Sequence, residues 1–142
     1  GIKNIIDQNF NAIQENFEIR KMFKEMHQST DTSPAFQLKK HYPEIYSRVA
    51  TRTTNHCKSI FETNIEKGIK EGLYRADINI MSFVYFYYTL IFEINENTSS
   101  EKEVKKLELD ALEYHIRAMA TPNGITELEK QLSNPKYFIN EK

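Results

Sequence analysis

Four histidines, His27, His41, His56 and His115, and a single cysteine, Cys57, are the side chains of this 142-residue chain best suited to metal binding or nucleophilic chemistry. Ligands carried on helices commonly use Glu-x-x-His or His-x-x-x-His, spacings that put two donors on one face. None of the four histidines has a glutamate three residues before it or another histidine four away, so no metal site is expected. His56 and Cys57 are neighbours, but adjacent helical positions do not face each other and make a poor thiolate pair. Cys57 falls on an apolar stripe, where a cysteine usually acts as a small hydrophobe in a core or a pocket wall, with redox sensing the alternative. No phosphate-cradling glycine loop and no nucleophile elbow is present. Enzymatic activity has no positive support in these residues, and no cofactor is implied.

The remaining chemistry is that of a binding cavity. Tyr46, Thr53, Cys57 and Phe61 recur along one helical stripe, and Phe83, Tyr87 and Tyr88 along another. Facing each other, they would make an apolar wall with a few hydroxyls, suited to a mostly hydrophobic small ligand in a cavity of about 300 to 1,000 Å³. The same residues could instead interlock as a solid core.

The elements that must position these residues are helices. Ile2, Ile5, Ile6, Phe10, Ile13 and Phe17 follow helical spacing, and Ile19, Met22, Phe23 and Met26 follow it in a shifted phase. That pattern fits two consecutive helices or one bent helix, with Asn16 a candidate N-cap at the break. The run at 29–33 is turn chemistry, and Pro34 opens a short connector to His41. Pro43 opens the longest helix, which runs to Glu71. Gly72 sits where a left-handed capping residue is wanted, with Leu73 able to fold back on the last turn. Gly68 costs about 1 kcal/mol of helix propensity relative to Ala, which signals either close approach by another group or a softened helix end.

A helix over Ile80 to Ile94, capped by Asn79 or Asp77, is apolar around most of its girth, with Ser82, Thr89 and Glu93 as one narrow polar strip. Such a helix must be covered on more than one side, and in a domain this small the second side is most simply another subunit. Ser100-x-x-Glu103 reads as a capping box for the next helix, whose stripe includes Val104, Leu107, Ala111, Leu112, His115 and Met119. The two would pair as an antiparallel hairpin. Thr121 and Pro122 start a last short helix ending near Asn134 and Pro135, before an apolar tail of Tyr137, Phe138 and Ile139. Arg75 and Asp77 read as residues that tie the turn together.

The bulk numbers agree with one all-α domain: four glycines, four prolines, 27% charged residues and a formal charge of -1. Interspersed charges leave no footprint for nucleic acid. The uncharged run Ile80 to Phe92 is well short of the roughly 20 residues a membrane span needs. One cysteine points to a reducing compartment, hence the cytoplasm.

Three segments, SPAFQLKKHYPEIY at 33–46, NIEKGIKEGLYRADIN at 64–79 and YHIRAMATPNGITELEK at 114–130, resemble the C-terminal regulatory domain of TetR-family transcriptional repressors, particularly Bacteroidetes-type members. The middle segment is the most specific, because a helix ending in Gly-x-x-x-Gly-x-x-Arg-x-Asp recurs there in that family. The resemblance implies about six to seven helices, a homodimer and a small-molecule effector. In the implied dimer the hairpin helices, about 79–95 and 101–120, form a four-helix bundle with the partner's copies, with Val84, Ile91, Leu109, Leu112 and Ile116 as expected contacts. It also implies operator DNA as a partner, reached through an N-terminal helix-turn-helix of about 45 to 50 residues. No such unit is recognisable ahead of Ile2 or within the first 30 residues, so the chain is expected to be a regulatory domain without its reading head. The rival expectation is a helical interaction module with a filled interior.

Overall fold

The computed structural model describes residues 2–26 and 34–138, with side chains throughout except at 23–26 and 34–37. The expectations for His27, for the turn at 29–33 and for Ile139 lie outside the described residues. Within them the architecture is all-α: α1 (Ile2–Asp7), α2 (Ala12–Met26), α3 (Pro34–His41), α4 (Pro43–Lys70), α5 (Ile80–Asn97), α6 (Glu101–Met119) and α7 (Pro122–Leu132), followed by a 3-10 turn over Pro135–Tyr137. α5 and α6 pair as a hairpin, α4 lies along α5, and α2 touches α1, α4, α6, α7 and the 3-10 turn. The core accordingly gathers around α2: Ala12, Ile13 and Phe17 meet Ile65, Tyr74, Val84, Leu112, Ile116, Met119, Leu128 and Tyr137.

Local chemistry explains most boundaries. Asn79 Oδ1 accepts from the Ser82 N–H, Ser100 Oγ from Glu103, and Thr121 Oγ1 from Gly124, so each of these helices starts on a side-chain cap. Asp77 is therefore not the cap of α5. The break between α1 and α2 differs from the sequence expectation. It falls at Gln8 to Asn11, where Asn11 Oδ1 accepts from the Gln14 N–H at 2.8 Å and Gln14 Oε1 accepts from the Asn11 N–H at 2.9 Å. This reciprocal pair satisfies two free donors at once. It releases Asn16, one helical turn further on, for another role.

The C-terminus of α4 ends in a Schellman arrangement. Gly72 is left-handed at φ 75°, the Leu73 N–H reaches the Gly68 carbonyl at 2.9 Å, and the Gly72 N–H reaches Ile69 at 3.1 Å. Gly68 answers to close approach: a Cβ there would lie 2.1 Å from Cδ2 of Tyr74, whose ring folds back over it and is buried. The chain beyond is stitched to the α6–α7 junction by Arg75 N–H to Met119 O at 2.8 Å and Thr121 N–H to Leu73 O at 3.0 Å. The Arg75 guanidinium also reaches the Ala118 carbonyl at 3.3 Å and pairs with Asp77 at 3.7 Å. Two of the three segments that carry the resemblance therefore meet at one structural junction.

A buried polar lock fixes α2 to α4. Asn64 Nδ2 donates to the Ala12 carbonyl at 2.9 Å and to Glu15 at 3.2 Å, Lys67 pairs with Glu15 at 2.7 Å, and Glu71 accepts from the Ala12 N–H at 2.7 Å. Asn16 Nδ2 joins it through Asn64 Oδ1 at 2.8 Å and the Tyr74 hydroxyl at 3.1 Å. Less than one turn further along α2, Tyr137 docks into the core and donates to Glu18 at 2.8 Å, with Lys136 paired to the same carboxylate. Burial alone would push the Glu18 carboxyl up, but the bonds and charge from Lys136 and Tyr137 outweigh it and hold it below the usual carboxylate range.

Candidate ligand cavity and exposed apolar face

α2, α4, α5 and α6 border a cavity of about 520 Å³ that is partly open to solvent, within the range of small-molecule sites. α4 contributes Thr53, Cys57, Ile60 and Phe61, and α5 contributes Tyr87, Ile91 and Asn95. α2 adds Asn16, Ile19 and Arg20, α6 adds Glu101, Val104, Lys105 and Glu108, and the α5–α6 turn adds Thr98 and Ser99. Isoleucines, Phe61 and Tyr87 form the apolar wall, while charged groups come from α2 and the first half of α6. Charged groups thus join the expected apolar wall, which still supplies most of the lining surface.

Of the seven residues read as ligand contacts, the structure gathers Thr53, Cys57, Phe61 and Tyr87 around this space. The Phe61 and Tyr87 rings meet tilted, with centroids 4.9 Å apart, and Tyr87 lies flat on His115 at 4.1 Å. The other three sit elsewhere. Tyr46 lies near the α3–α4 junction under the Lys39 ammonium, at 5.6 Å. Phe83 packs against the core beside Phe86. Tyr88 bonds Thr54 Oγ1 at 2.6 Å, with Lys58 5.0 Å above its ring, so it seals the α4–α5 seam. At 100° per residue Tyr88 is turned away from Tyr87, which a stripe reading that accepted both could not separate.

Sequence reasoning missed the walls from α2 and the α5–α6 turn. Val104 was legible in its stripe, whereas Arg20, Asn95 and Glu108, being polar, belong to no apolar stripe that would single them out. They find local partners: Arg20 donates to the Lys105 carbonyl at 3.3 Å, Asn95 to Glu108 at 3.1 Å, and Lys105 pairs with Glu101 at 3.4 Å.

Burial governs the titration of the surrounding groups. Desolvation lowers His115 to about 3, so it is neutral at physiological pH. It raises the Cys57 thiol, which disfavours the thiolate. Tyr87 is pushed up by burial and then by the Glu108 charge, while Arg20 draws it back. Among the described residues no three His, Cys, Asp or Glu side chains converge as metal ligands.

The opposite side of the hairpin is bare. The exposed half of α5 carries Met81, Tyr85 and Phe92 along one edge and Phe86 and Leu90 along the other, with Thr89 and Glu93 between them. On α6, exposed Tyr114 lies in a shallow depression with Asp110, Glu113, Arg117 and Ala118. This outer face corrects the contact residues expected from sequence. Val84, Leu112 and Ile116 are 1%, 2% and 0% exposed, covered by their own chain. Ile91 lines the cavity and Leu109 packs against the core. The stripe is apolar as expected, but its strongest members face the domain's own interior. No described helix is long and apolar enough to cross a membrane. Compared with protein-family models, with curated proteins and with solved structures, the chain has no match.

Proposed function

We propose that this chain is the effector-binding and dimerisation domain of a TetR-like bacterial transcriptional regulator, a cytoplasmic repressor released by a small ligand. The observation that carries the reading is the 520 Å³ cavity between α2, α4, α5 and α6, half lined by apolar and aromatic side chains. An interaction module with a filled interior would not need a concave space of this size bordered by four helices. The bare face of α5 and α6 supports a homodimer through a four-helix bundle, and the three quoted segments support the family. In the parent protein an N-terminal helix-turn-helix would contact operator DNA. Ligand among α2, α4, α5 and α6 would move α2 and the chain leading into it, and it would do so only by binding one arrangement more tightly than the other.

Cys57 supplies the test. Small aromatic and aliphatic compounds are screened for their ability to slow alkylation of Cys57 by iodoacetamide in the native protein. Protection that saturates with compound, together with a rise in Tm, is the expected result. A library in which no compound protects Cys57 contradicts the reading.

A further inference from the structure

Asn16 belongs to the cavity wall and to the α2–α4 lock at once. Its Nδ2 donates to Asn64 Oδ1 at 2.8 Å, to the Tyr74 hydroxyl at 3.1 Å and to the carbonyl of Ala12 at 3.3 Å. The amide cannot be flipped without loss. Asn64 turns its own Nδ2 to Ala12 and Glu15, so it offers Asn16 an acceptor, and a carbonyl oxygen accepts only. Asn16 Oδ1 has no donor partner among the described residues. Elsewhere in the wall Thr53 bonds the Val49 carbonyl, Asn95 bonds Glu108, Lys105 pairs with Glu101 and Arg20 bonds the Lys105 carbonyl, while Tyr87, Thr98 and Ser99 contribute hydroxyls. With the nitrogen held inside the lock, the carbonyl oxygen is the polar atom Asn16 has left for an occupant.

We infer that Asn16 Oδ1 is the acceptor by which the cavity selects its ligand, an apolar molecule carrying one hydroxyl or N–H donor, and that the same amide passes occupancy into the α2–α4 lock. The inference rests on the cavity-binding reading above. An apolar occupant without a donor strips water from Asn16 Oδ1 and returns nothing, which penalises it. A donor completes the amide and polarises the bonds Nδ2 makes to Asn64 and Tyr74, since hydrogen bonds in series strengthen one another. Those bonds hold α2 against the C-terminal end of α4.

The test uses 1-naphthol and 1-methoxynaphthalene, which share an apolar body and differ in the donor, titrated by calorimetry into the intact chain. Naphthol is expected to bind about three- to tenfold more tightly, the preference one neutral hydrogen bond sets. It should also shift the side-chain NH₂ resonances of Asn16 and Asn64, which the ether leaves in place. Asn16→Ala should bring the preference close to one. If that variant does not fold, the wild-type pair and the two amide resonances decide alone. Equal binding of both probes, with Cys57 protected by each, overturns the role of Asn16 and leaves the cavity reading standing. A naphthol preference that survives in Asn16→Ala overturns it as well. Failure of both probes to slow Cys57 alkylation removes the inference and counts against the reading beneath it.

Discussion

At residue scale, the demands are set by groups that cannot be moved. Gly68→Ala gains helix propensity of about 1 kcal/mol but puts a Cβ into the Tyr74 ring. Overpacking of that kind costs about 1–3 kcal/mol, so we expect a net loss in urea unfolding and a Tyr74 hydroxyl freed from Asn16 and Asn64. A helical glycine without an evident turn was legible in the sequence as a steric signal. That the intruder is the chain's own Tyr74, six residues on, follows from the Schellman turn and could not be read from spacing. His115 makes the second prediction. Its folded pKa, about 3, lies below the ordinary 6.5, so the unfolded chain binds the proton first and stability falls as pH drops from about 6.5 towards 3. The slope attributable to this histidine approaches about 1.4 kcal/mol per pH unit in that window, and His115→Phe, which preserves a ring against Tyr87, should flatten it above pH 5. Glu18, held below its ordinary value, contributes in the same direction only at more acidic pH.

At the scale of elements, α5 and α6 each present two faces with different duties. Leu112 and Ile116 are inside the protomer, so truncation to alanine should cost about 2–5 kcal/mol of folding stability. Phe86 and Leu90 are solvent-facing in the monomer, so Phe86→Glu should change monomer stability by less than about 0.5 kcal/mol. Thermal unfolding of the three variants at low protein concentration checks this contrast. Helix identities and the caps at Asn79, Ser100 and Thr121 were legible, because capping is a local matter of side-chain oxygen and backbone N–H. The α1–α2 break was misplaced at Asn16, because the Asn11 and Gln14 capping box competes with a hydrophobic pattern that runs on unbroken. The polar half of the cavity was illegible for a different reason: Arg20, Asn95 and Glu108 carry the same residue types as any solvated helix face, and only the packing of α2, α4, α5 and α6 brings them to the rim of one space.

At the scale of the whole molecule, one helix hairpin separates two kinds of surface. Its inner side borders a cavity that reaches the α2–α4 lock, and its outer side leaves Met81, Tyr85, Phe86, Leu90, Phe92 and Tyr114 exposed. Exposed apolar side chains at such density mark an association surface. On the proposed regulatory reading the associate is a second copy, since α5 and α6 of two chains would cover one another as an isologous four-helix bundle. The excess of apolar surface on α5 was legible in the sequence, because the helix is loaded with apolar residues around its girth. Which of them the protomer covers was not, since that depends on where α2, α4 and α7 lie. Sedimentation equilibrium from low to high micromolar concentration, on the wild type beside Phe86→Glu, tests the regulatory dimer most directly. The expected result is a dimer of about twice the 16.8 kDa chain mass that reverts to a folded monomer in the variant; a wild type that remains strictly monomeric at high micromolar concentration contradicts it.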